Sequence, residues 1–122
     1  MIVLDTNVVI FFIKKDPVIV EWINRQRSKG ERFCVSTITV VELLGFQNIS
    51  HDEIFLIESW LQYVLVVDVD GSIAREAARI RRELKLTVSD SVIAATAVLL
   101  QSPVATRDVV FKKIRDISVL RP

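Results

Sequence analysis

Residues 2–13 read IVLDTNVVIFFI, and this stretch decides the fold. It is apolar at every position except Asp5, Thr6 and Asn7, which follow one another. A short apolar run, a polar turn and a longer apolar run are typical of a buried strand that leads into a helix. An ionised carboxylate in that setting is costly unless a partner compensates its charge. Asp5 is therefore either a helix cap or part of a functional site.

Outward from this stretch, short β-branched runs alternate with longer helical patterns. Strands are predicted at residues 2–4, 33–35, 64–67 and 104–105, with a weaker one at 117–120. Helices are predicted at 17–30, which a proline opens and a glycine ends, at 70–85 and at 89–101. This alternation favours a three-layer α/β/α fold with a small, mainly parallel sheet of four to five strands.

The size and composition of the chain bound its organisation. It has 122 residues, of which 51% are hydrophobic and 25% charged, and we expect a single domain spanning residues 1–122. The formal net charge is +1, so any nucleic-acid binding has to come from local basic patches rather than from the overall field.

Three features bear on the compartment. A lone cysteine, Cys34, rules out an internal disulfide and suits a reducing environment. The opening apolar run is interrupted by Asp5 and is shorter than the roughly 20 residues of a membrane helix. A secretory leader would begin with basic residues, whereas the first lysine here is Lys14. We therefore expect a soluble, cytoplasmic protein with no membrane contact.

Four acids stand in apolar surroundings, and each has an ordinary structural explanation. Asp5, Asp90 and Asp108 each stand where a helix is predicted to begin, so helix capping competes with a functional role. Glu42, within TVVELLG (39–45), has apolar neighbours one helical turn away and does not belong to a solvated polar stripe. Its ordinary explanation is a position at the helix rim, from which the side chain reaches solvent. All four follow a strand or lie near a helix start, where a doubly wound fold gathers its strand ends into one crevice. One shared site explains them better than four coincidences.

A shared site implies a bound cation. Two carboxylates about 4 Å apart repel by roughly 4 kcal/mol at an effective dielectric constant of about 20, so the cluster disfavours folding unless its charge is neutralised. Oxygen ligands without histidine or cysteine nearby favour Mg²⁺ or Mn²⁺ over Zn²⁺. The lone histidine, His51, is predicted to be a surface residue near a helix start.

These residues resemble the motifs of the PIN-domain family. LDTN (4–7), VEL (41–43), DSVIAATA (90–97) and TRD (106–108) followed by FKKI (111–114) are similar to that family's four acidic motifs, in order and at similar spacing. The resemblance covers nearly the whole chain. It implies a Mg²⁺- or Mn²⁺-dependent ribonuclease that hydrolyses phosphodiester bonds and, in chains this short, the toxin of a type II toxin–antitoxin pair of the VapC kind.

By this resemblance, Asp5, Glu42, Asp90 and Asp108 are the catalytic and metal-binding acids. Many members carry a further acid just before the phenylalanine of the last motif, where this chain has Val110, so the fourth corner depends on Asp108 alone. The implied reaction is in-line attack on the phosphodiester by a metal-activated water. Asp5 and Asp90 are assigned as direct ligands, with Glu42 and Asp108 holding metal-bound waters or a second ion.

Other polar residues are expected around the acids. Asn7, Ser36 and Thr106 lie near predicted strand ends, where they would orient carboxylates or contact phosphate. For Ser36, helix capping is the preferred explanation.

RNA has to approach an acidic site, so nearby basic residues are the candidates for binding it. The candidates are Lys14, Lys15, Arg107, Lys112 and Lys113. A separate stripe of Arg75, Arg79 and Arg82 is interpreted as a solvated helix face, since acidic residues lie beside it.

The segment SHDEIFLIESWLQY (50–63) predicts a helix that is apolar over more of its circumference than one core contact requires. The surplus predicts contact with another chain. A homodimer is the first hypothesis, and a groove for an antitoxin helix is the second. The residues do not specify which RNA, a tRNA or an mRNA for instance, is the substrate.

Two alternatives stay open beside the nuclease. A catalytically degenerate PIN-like interaction module would keep the fold without the reaction. The replacement of the family's further acid by Val110 is consistent with this alternative. An aspartyl-phosphate phosphotransfer protein would use Asp5 as a nucleophile. Phosphatases of that type need a second aspartate where Asn7 stands, and receiver domains place their aspartate after a later strand, so this alternative is disfavoured.

Overall fold

The computed structural model describes residues 1–122 and contains five strands and six α-helices. The strands are β1 (Ile2–Leu4), β2 (Phe33–Ser36), β3 (Leu65–Val67), β4 (Val104–Ala105) and β5 (Val119–Leu120). The helices are α1 (Thr6–Ile13), α2 (Pro17–Ser28), α3 (Thr37–Leu44), α4 (His51–Leu61), α5 (Gly71–Leu84) and α6 (Val88–Leu100). A short 3₁₀ helix, Val109–Lys113, follows β4.

All five strands run parallel in one sheet, in the order β3-β2-β1-β4-β5. In the central strand β1, Val3 pairs with Cys34 of β2 on one side and with Val104 of β4 on the other. The chain builds outward from β1 to β3 and then returns to the opposite side, so the winding reverses between β1 and β4. Open α/β sheets bind ligands outside the carboxyl ends of the strands at such a reversal.

Two apolar cores cover the two faces of the sheet, because side chains alternate along each strand. Ile2 and Leu4 pack toward α1 to α4, whereas Val3 and Cys34 pack toward α5 and α6. The three-layer α/β/α fold predicted from the sequence is therefore confirmed, with all five strands parallel. Cys34 is fully buried, and its burial raises the pKa of the thiol to about 11, so it is an unreactive core residue.

Element boundaries differ from the predicted ones by a few residues. α2 ends at Ser28, and Gly30 adopts a φ of 83° in the turn beyond it, a conformation that glycine takes without strain. α6 begins at Val88, one residue earlier than predicted, which changes the interpretation of Asp90 below. None of the helices has the length and apolar character that crossing a membrane requires.

Candidate functional site

Asp5 lies at the carboxyl end of β1, where the winding of the sheet reverses. Its backbone N–H donates to the Ala105 carbonyl at 3.1 Å, and the residue is only 4% exposed. Although Asp5 stands at the N-cap position of α1, its side chain makes no capping hydrogen bond. Helix capping therefore does not explain this buried carboxylate.

The Thr106 hydroxyl, at the end of β4, donates to Asp5 Oδ2 at 2.7 Å. Burial raises the pKa of Asp5 to about 6; the Thr106 hydrogen bond opposes this rise, and the nearby charge of Asp90 adds to it. The hydrogen bond thus holds the carboxylate in a fixed orientation, but no cationic group neutralises its charge.

Asp90 lies in the first turn of α6 and does not cap it. The cap is Thr87, whose hydroxyl accepts the Asp90 N–H at 3.2 Å. The interpretation of Asp90 as the helix cap is therefore wrong, because the helix begins before it. Burial raises the pKa of Asp90, and the charges of Asp108 and Glu42 raise it further.

Glu42 is fixed by two buried threonines. The Thr6 hydroxyl donates to Glu42 Oε1 at 2.7 Å, and Thr39 Oγ1 lies 3.0 Å from Thr6 Oγ1. A hydroxyl has one proton to donate, so Thr39 donates to Thr6 and Thr6 donates to Glu42. The carboxylate is half-buried rather than extended into solvent. Sequence reasoning missed this role of Thr6 and Thr39, although Thr39 lies three residues before Glu42 on the same helix.

Asp108 forms the outer corner of the site. Its Oδ1 accepts the Val110 N–H at 3.0 Å, so it does cap the 3₁₀ helix, while its own N–H donates to Thr106 Oγ1 at 2.9 Å. Its charge contributes to the raised pKa of both Asp5 and Asp90. Asp108 is exposed, which distinguishes it from the other three acids.

Together these acids form one acid cluster: Asp5, Glu42, Asp90 and Asp108. The first three line a common cleft of about 460 Å³. No lysine or arginine forms an ion pair with any of the four. The structure therefore brings the predicted acids to one edge of the sheet and leaves their charge uncompensated.

The neighbouring polar residues divide into two groups. Asn7 is exposed and lines the cleft, and Thr106 orients Asp5, so both lie where the sequence placed them. Ser36 is fully buried and caps α3 by accepting the Ile38 N–H at 3.1 Å. That is the explanation preferred for Ser36 from the sequence.

Four of the five basic candidates, Lys14, Lys15, Lys112 and Lys113, are exposed, and none of them lines the cleft. Arg107 is engaged within the protein. Its guanidinium lies 5.1 Å from the centre of the Phe11 ring and 3.8 Å from Asp16, and its Nε donates to the Pro122 carbonyl at 3.3 Å. These contacts favour a packing role for Arg107 over a phosphate contact.

We expect Arg107→Ala to lower the free energy of unfolding by about 1 kcal/mol, because it removes a cation–π contact and a partly exposed ion pair. Urea denaturation measures this loss. RNA is the ligand that the resemblance to the PIN-domain family implies, and the salt dependence of binding to it should be unchanged in the same variant. A shallower salt dependence with unchanged stability would instead make Arg107 a phosphate contact.

The acid cluster offers only oxygen ligands. No three acidic, histidine or cysteine side chains converge closely enough to hold one ion between them. Mg²⁺ does not need such a cage, because it keeps several waters and takes one or two carboxylates, and Mn²⁺ likewise accepts carboxylate and water oxygens. The buried, unpaired carboxylate of Asp5 and its neighbour Asp90 therefore fit a hydrated divalent cation.

The chain is similar in sequence to proteins of one family. The family model for the PIN domain matches residues 2–117. Ribonuclease VapC2 of Haemophilus influenzae is 36% identical over 84 residues, 66% of this chain and 62% of that protein. The tRNA(fMet)-specific endonuclease VapC of Shigella flexneri is 35% identical, with the same coverage. The chain thus spans less than two thirds of the length of these relatives.

Among solved structures, the DNA-bound VapBC complex of Salmonella typhimurium contains a similar chain. The TM-score is 0.84 at 30% identity, and the match covers 98% of this chain and 96% of that one. The similarity therefore extends over the whole sheet and both helical layers.

Proposed function

The chain belongs to the PIN-domain family, and on that basis we propose that it is a divalent-metal-dependent endoribonuclease and the toxin of a toxin–antitoxin pair. The observation that carries the proposal is the acid cluster at the winding reversal, four carboxylates without a cationic partner. Such a cluster destabilises the fold at neutral pH until positive charge is brought to it. The names of the relatives, ribonuclease VapC2 and tRNA(fMet)-specific endonuclease VapC, support RNA as the substrate.

Each acid has a position that suits a particular role. Asp5 and Asp90 would hold Mg²⁺ or Mn²⁺ directly, since both carry a raised pKa that the cation would relieve. Glu42 and Asp108 would accept hydrogen bonds from waters around the ion or hold a second ion.

When bound, the cation would supply a water of lowered pKa and neutralise charge on the phosphate. The protein's own part is positioning. Thr106 fixes the plane of the Asp5 carboxylate, and the Thr39–Thr6 pair fixes that of Glu42. Asn7, exposed beside Asp5, would contact the phosphate or a water on it. No side chain of the site is needed as a nucleophile.

The direct test is cleavage of an RNA pool that includes tRNA by the purified protein, with Mg²⁺, with Mn²⁺ and with EDTA. Cutting in either metal and none in EDTA is the expected result. No cutting in any condition, together with no binding of Mn²⁺ by calorimetry, would contradict the proposal. It would leave a catalytically degenerate interaction module.

Thr106 provides a finer test of positioning. We expect Thr106→Val to lower cleavage by about 10- to 100-fold and to weaken Mn²⁺ binding, because the Asp5 carboxylate loses the hydroxyl that orients it. Thr106→Ser keeps a hydroxyl and should retain most of both. A loss in Thr106→Ser with cleavage and Mn²⁺ binding retained in Thr106→Val would show that the methyl group's packing, not the hydrogen bond, is what matters.

We also propose that an antitoxin segment binds the apolar groove between α1, α3 and α4. This groove, of about 210 Å³, is lined by Ile10, Ile13, Lys14, Leu43, Phe46, Ile49, Glu53, Leu56 and Ile57. Ile10 and Phe46 also line the acid cleft, so one ligand can occupy both. The solved VapBC structures, which are complexes by name, support a protein partner.

A homodimer is proposed from a different part of α4. Phe55 is 71% exposed and lies outside the groove, whereas its neighbour Leu56 lines it. Aromatic residues are enriched at protein–protein interfaces, which supports this part of α4 as the contact surface of the dimer.

The two neighbours give a matched pair of variants. Phe55→Asp should convert a dimer into a monomer in light scattering at micromolar concentration, because a charge enters the apolar interface. Leu56→Asp should leave the dimer intact and weaken binding of an amphipathic antitoxin helix. A monomeric parent protein would remove the dimer hypothesis, and unimpaired binding by Leu56→Asp would remove the groove.

A further inference from the structure

The C-terminal end of α5 carries three cations that no acid neutralises. They surround a surface depression of about 470 Å³, lined by Ala78, Arg81, Arg82, Lys85 and Leu86. None of the three cations takes part in an ion pair. We call Arg81, Arg82 and Lys85 the basic patch.

Arg79, on the same helix, differs from the basic patch because acidic residues neutralise its charge. It pairs with Glu76 and Glu83 on α5, and it lies 3.5 Å from Asp116 beyond the 3₁₀ helix. The interpretation of the arginine stripe as a solvated face of intrahelical pairs therefore fits Arg79. Arg82, one turn from Arg79, has no such partner, and neither do the two cations beside it.

The basic patch is partly preorganised. Arg81 Nε donates to the Leu86 carbonyl at 3.2 Å, and Leu86 is buried, so the turn after α5 is tied to the core. Lys85 ends the helix with a φ of 55°. The negative end of the helix dipole stabilises cations at this position. It does not neutralise three of them, which leaves the patch able to bind an anion.

The basic patch lies close to the acid cluster along the chain. Lys85 and Asp90 are five positions apart in the sequence, so their Cα atoms lie at most about 18 Å apart. Within that span Thr87 caps α6 and Asp90 enters the cleft. The C-terminal end of α5, which carries the patch, and the first turn of α6, which carries Asp90, are therefore adjacent.

Resting on the proposed function, we propose that the basic patch binds phosphates of a single-stranded RNA whose scissile bond lies at the acid cluster. A net charge of +1 gives the molecule as a whole little attraction for RNA, so the attraction has to be local. The acid cluster repels phosphates that no bound cation neutralises. An RNA strand that leaves the cleft beyond the start of α6 reaches the basic patch, whose positive charges attract its phosphates.

The test measures the binding of a short labelled single-stranded RNA by fluorescence anisotropy over a range of KCl at fixed Mg²⁺. The parent is the Asp5→Asn protein, so that the probe is not cut. Arg82→Gln with Lys85→Gln removes two charges from the patch. Arg25→Gln with Lys29→Gln removes two exposed charges near the opposite edge of the sheet and serves as the control.

We expect the patch variant to reduce the slope of log K against log salt by about 1.4, since each single-strand phosphate contact contributes about 0.7. The control should keep the parent slope. An unchanged slope in the patch variant, or equal reductions in both, would overturn the patch alone. No salt-dependent RNA binding by the parent would also overturn the patch, while the proposed function is decided separately by cleavage with the wild-type protein. An equal loss of affinity for polyglutamate would assign the patch to an acidic peptide instead.

Discussion

Asp5→Asn is expected to lower the rate of RNA cleavage by roughly a thousandfold. The substitution keeps an oxygen that accepts the Thr106 hydrogen bond, so the orientation of residue 5 is preserved. What it removes is the buried negative charge that, in the proposed function, would draw a divalent cation to the end of β1. A metal ion's charge stabilisation amounts to several kcal/mol, and about 4 kcal/mol corresponds to a factor of roughly a thousand in rate.

The measurement is single-turnover cleavage of a labelled RNA at saturating Mg²⁺, so that weaker substrate binding does not contribute. Asp68→Asn is the matched control, because Asp68 follows β3 at the same sheet edge but is exposed. It should cleave at the parental rate. An Asp5→Asn protein that cleaves within tenfold of the wild type would show that Asp5 is not a metal ligand. A comparable loss in Asp68→Asn would point to general electrostatics instead.

The fold was predictable because its apolar pattern is unambiguous. In β1, Ile2 and Leu4 alternate with Val3, and all three are buried because helices cover both faces. The same strand ends at Asp5, so locating the strand also located the acid. Parallel strands then bring Asp5 and Thr106 together across 101 positions of sequence, which the strand order alone implies.

Local sequence was a poorer guide to what each polar side chain contacts. Asp90 looked like a cap because the helix start was placed one residue late, and the threonine that caps α6 lay outside the predicted helix. Arg107 looked like an RNA contact because it precedes Asp108. Adjacent side chains need not point the same way, and the guanidinium packs on Phe11 of α1 instead.

The charges of α5 illustrate the same limit. In sequence, Arg79 has acids three residues before it and four residues after it, whereas Arg82 has none at those spacings and lies beside Arg81 and Lys85. Helical spacing therefore leaves Arg82 unpaired, but only the tertiary structure adds Asp116 to the partners of Arg79. Ion pairing across elements depends on packing distances that a one-dimensional pattern does not contain.

The second large effect concerns stability without metal. The pKa of Asp5 is about 6 in the folded protein against 3.8 for an ordinary aspartate, so the folded state holds the proton more tightly. Asp5 therefore contributes stability that is present below about pH 4 and is lost as the pH rises through about 6. At neutral pH the ionised Asp5 lowers the free energy of unfolding of the metal-free protein by about 3 kcal/mol. Asp90, whose pKa is also raised, acts in the same direction.

In EDTA, Asp5→Asn should consequently be more stable than the wild type at neutral pH. The difference in free energy of unfolding from urea denaturation should shrink toward zero near pH 4, because the protonated aspartate and the asparagine are then alike. Parallel stability curves for the two proteins between about pH 4 and 8 would contradict the burial of an uncompensated charge. With Mg²⁺ at about 100 times its dissociation constant, the wild type should gain about 2.7 kcal/mol and the variant much less. The wild type's deficit of about 3 kcal/mol should then nearly disappear. That loss of the difference separates a metal site from a carboxylate that is merely buried, since only at a metal site does the added cation offset the buried charge.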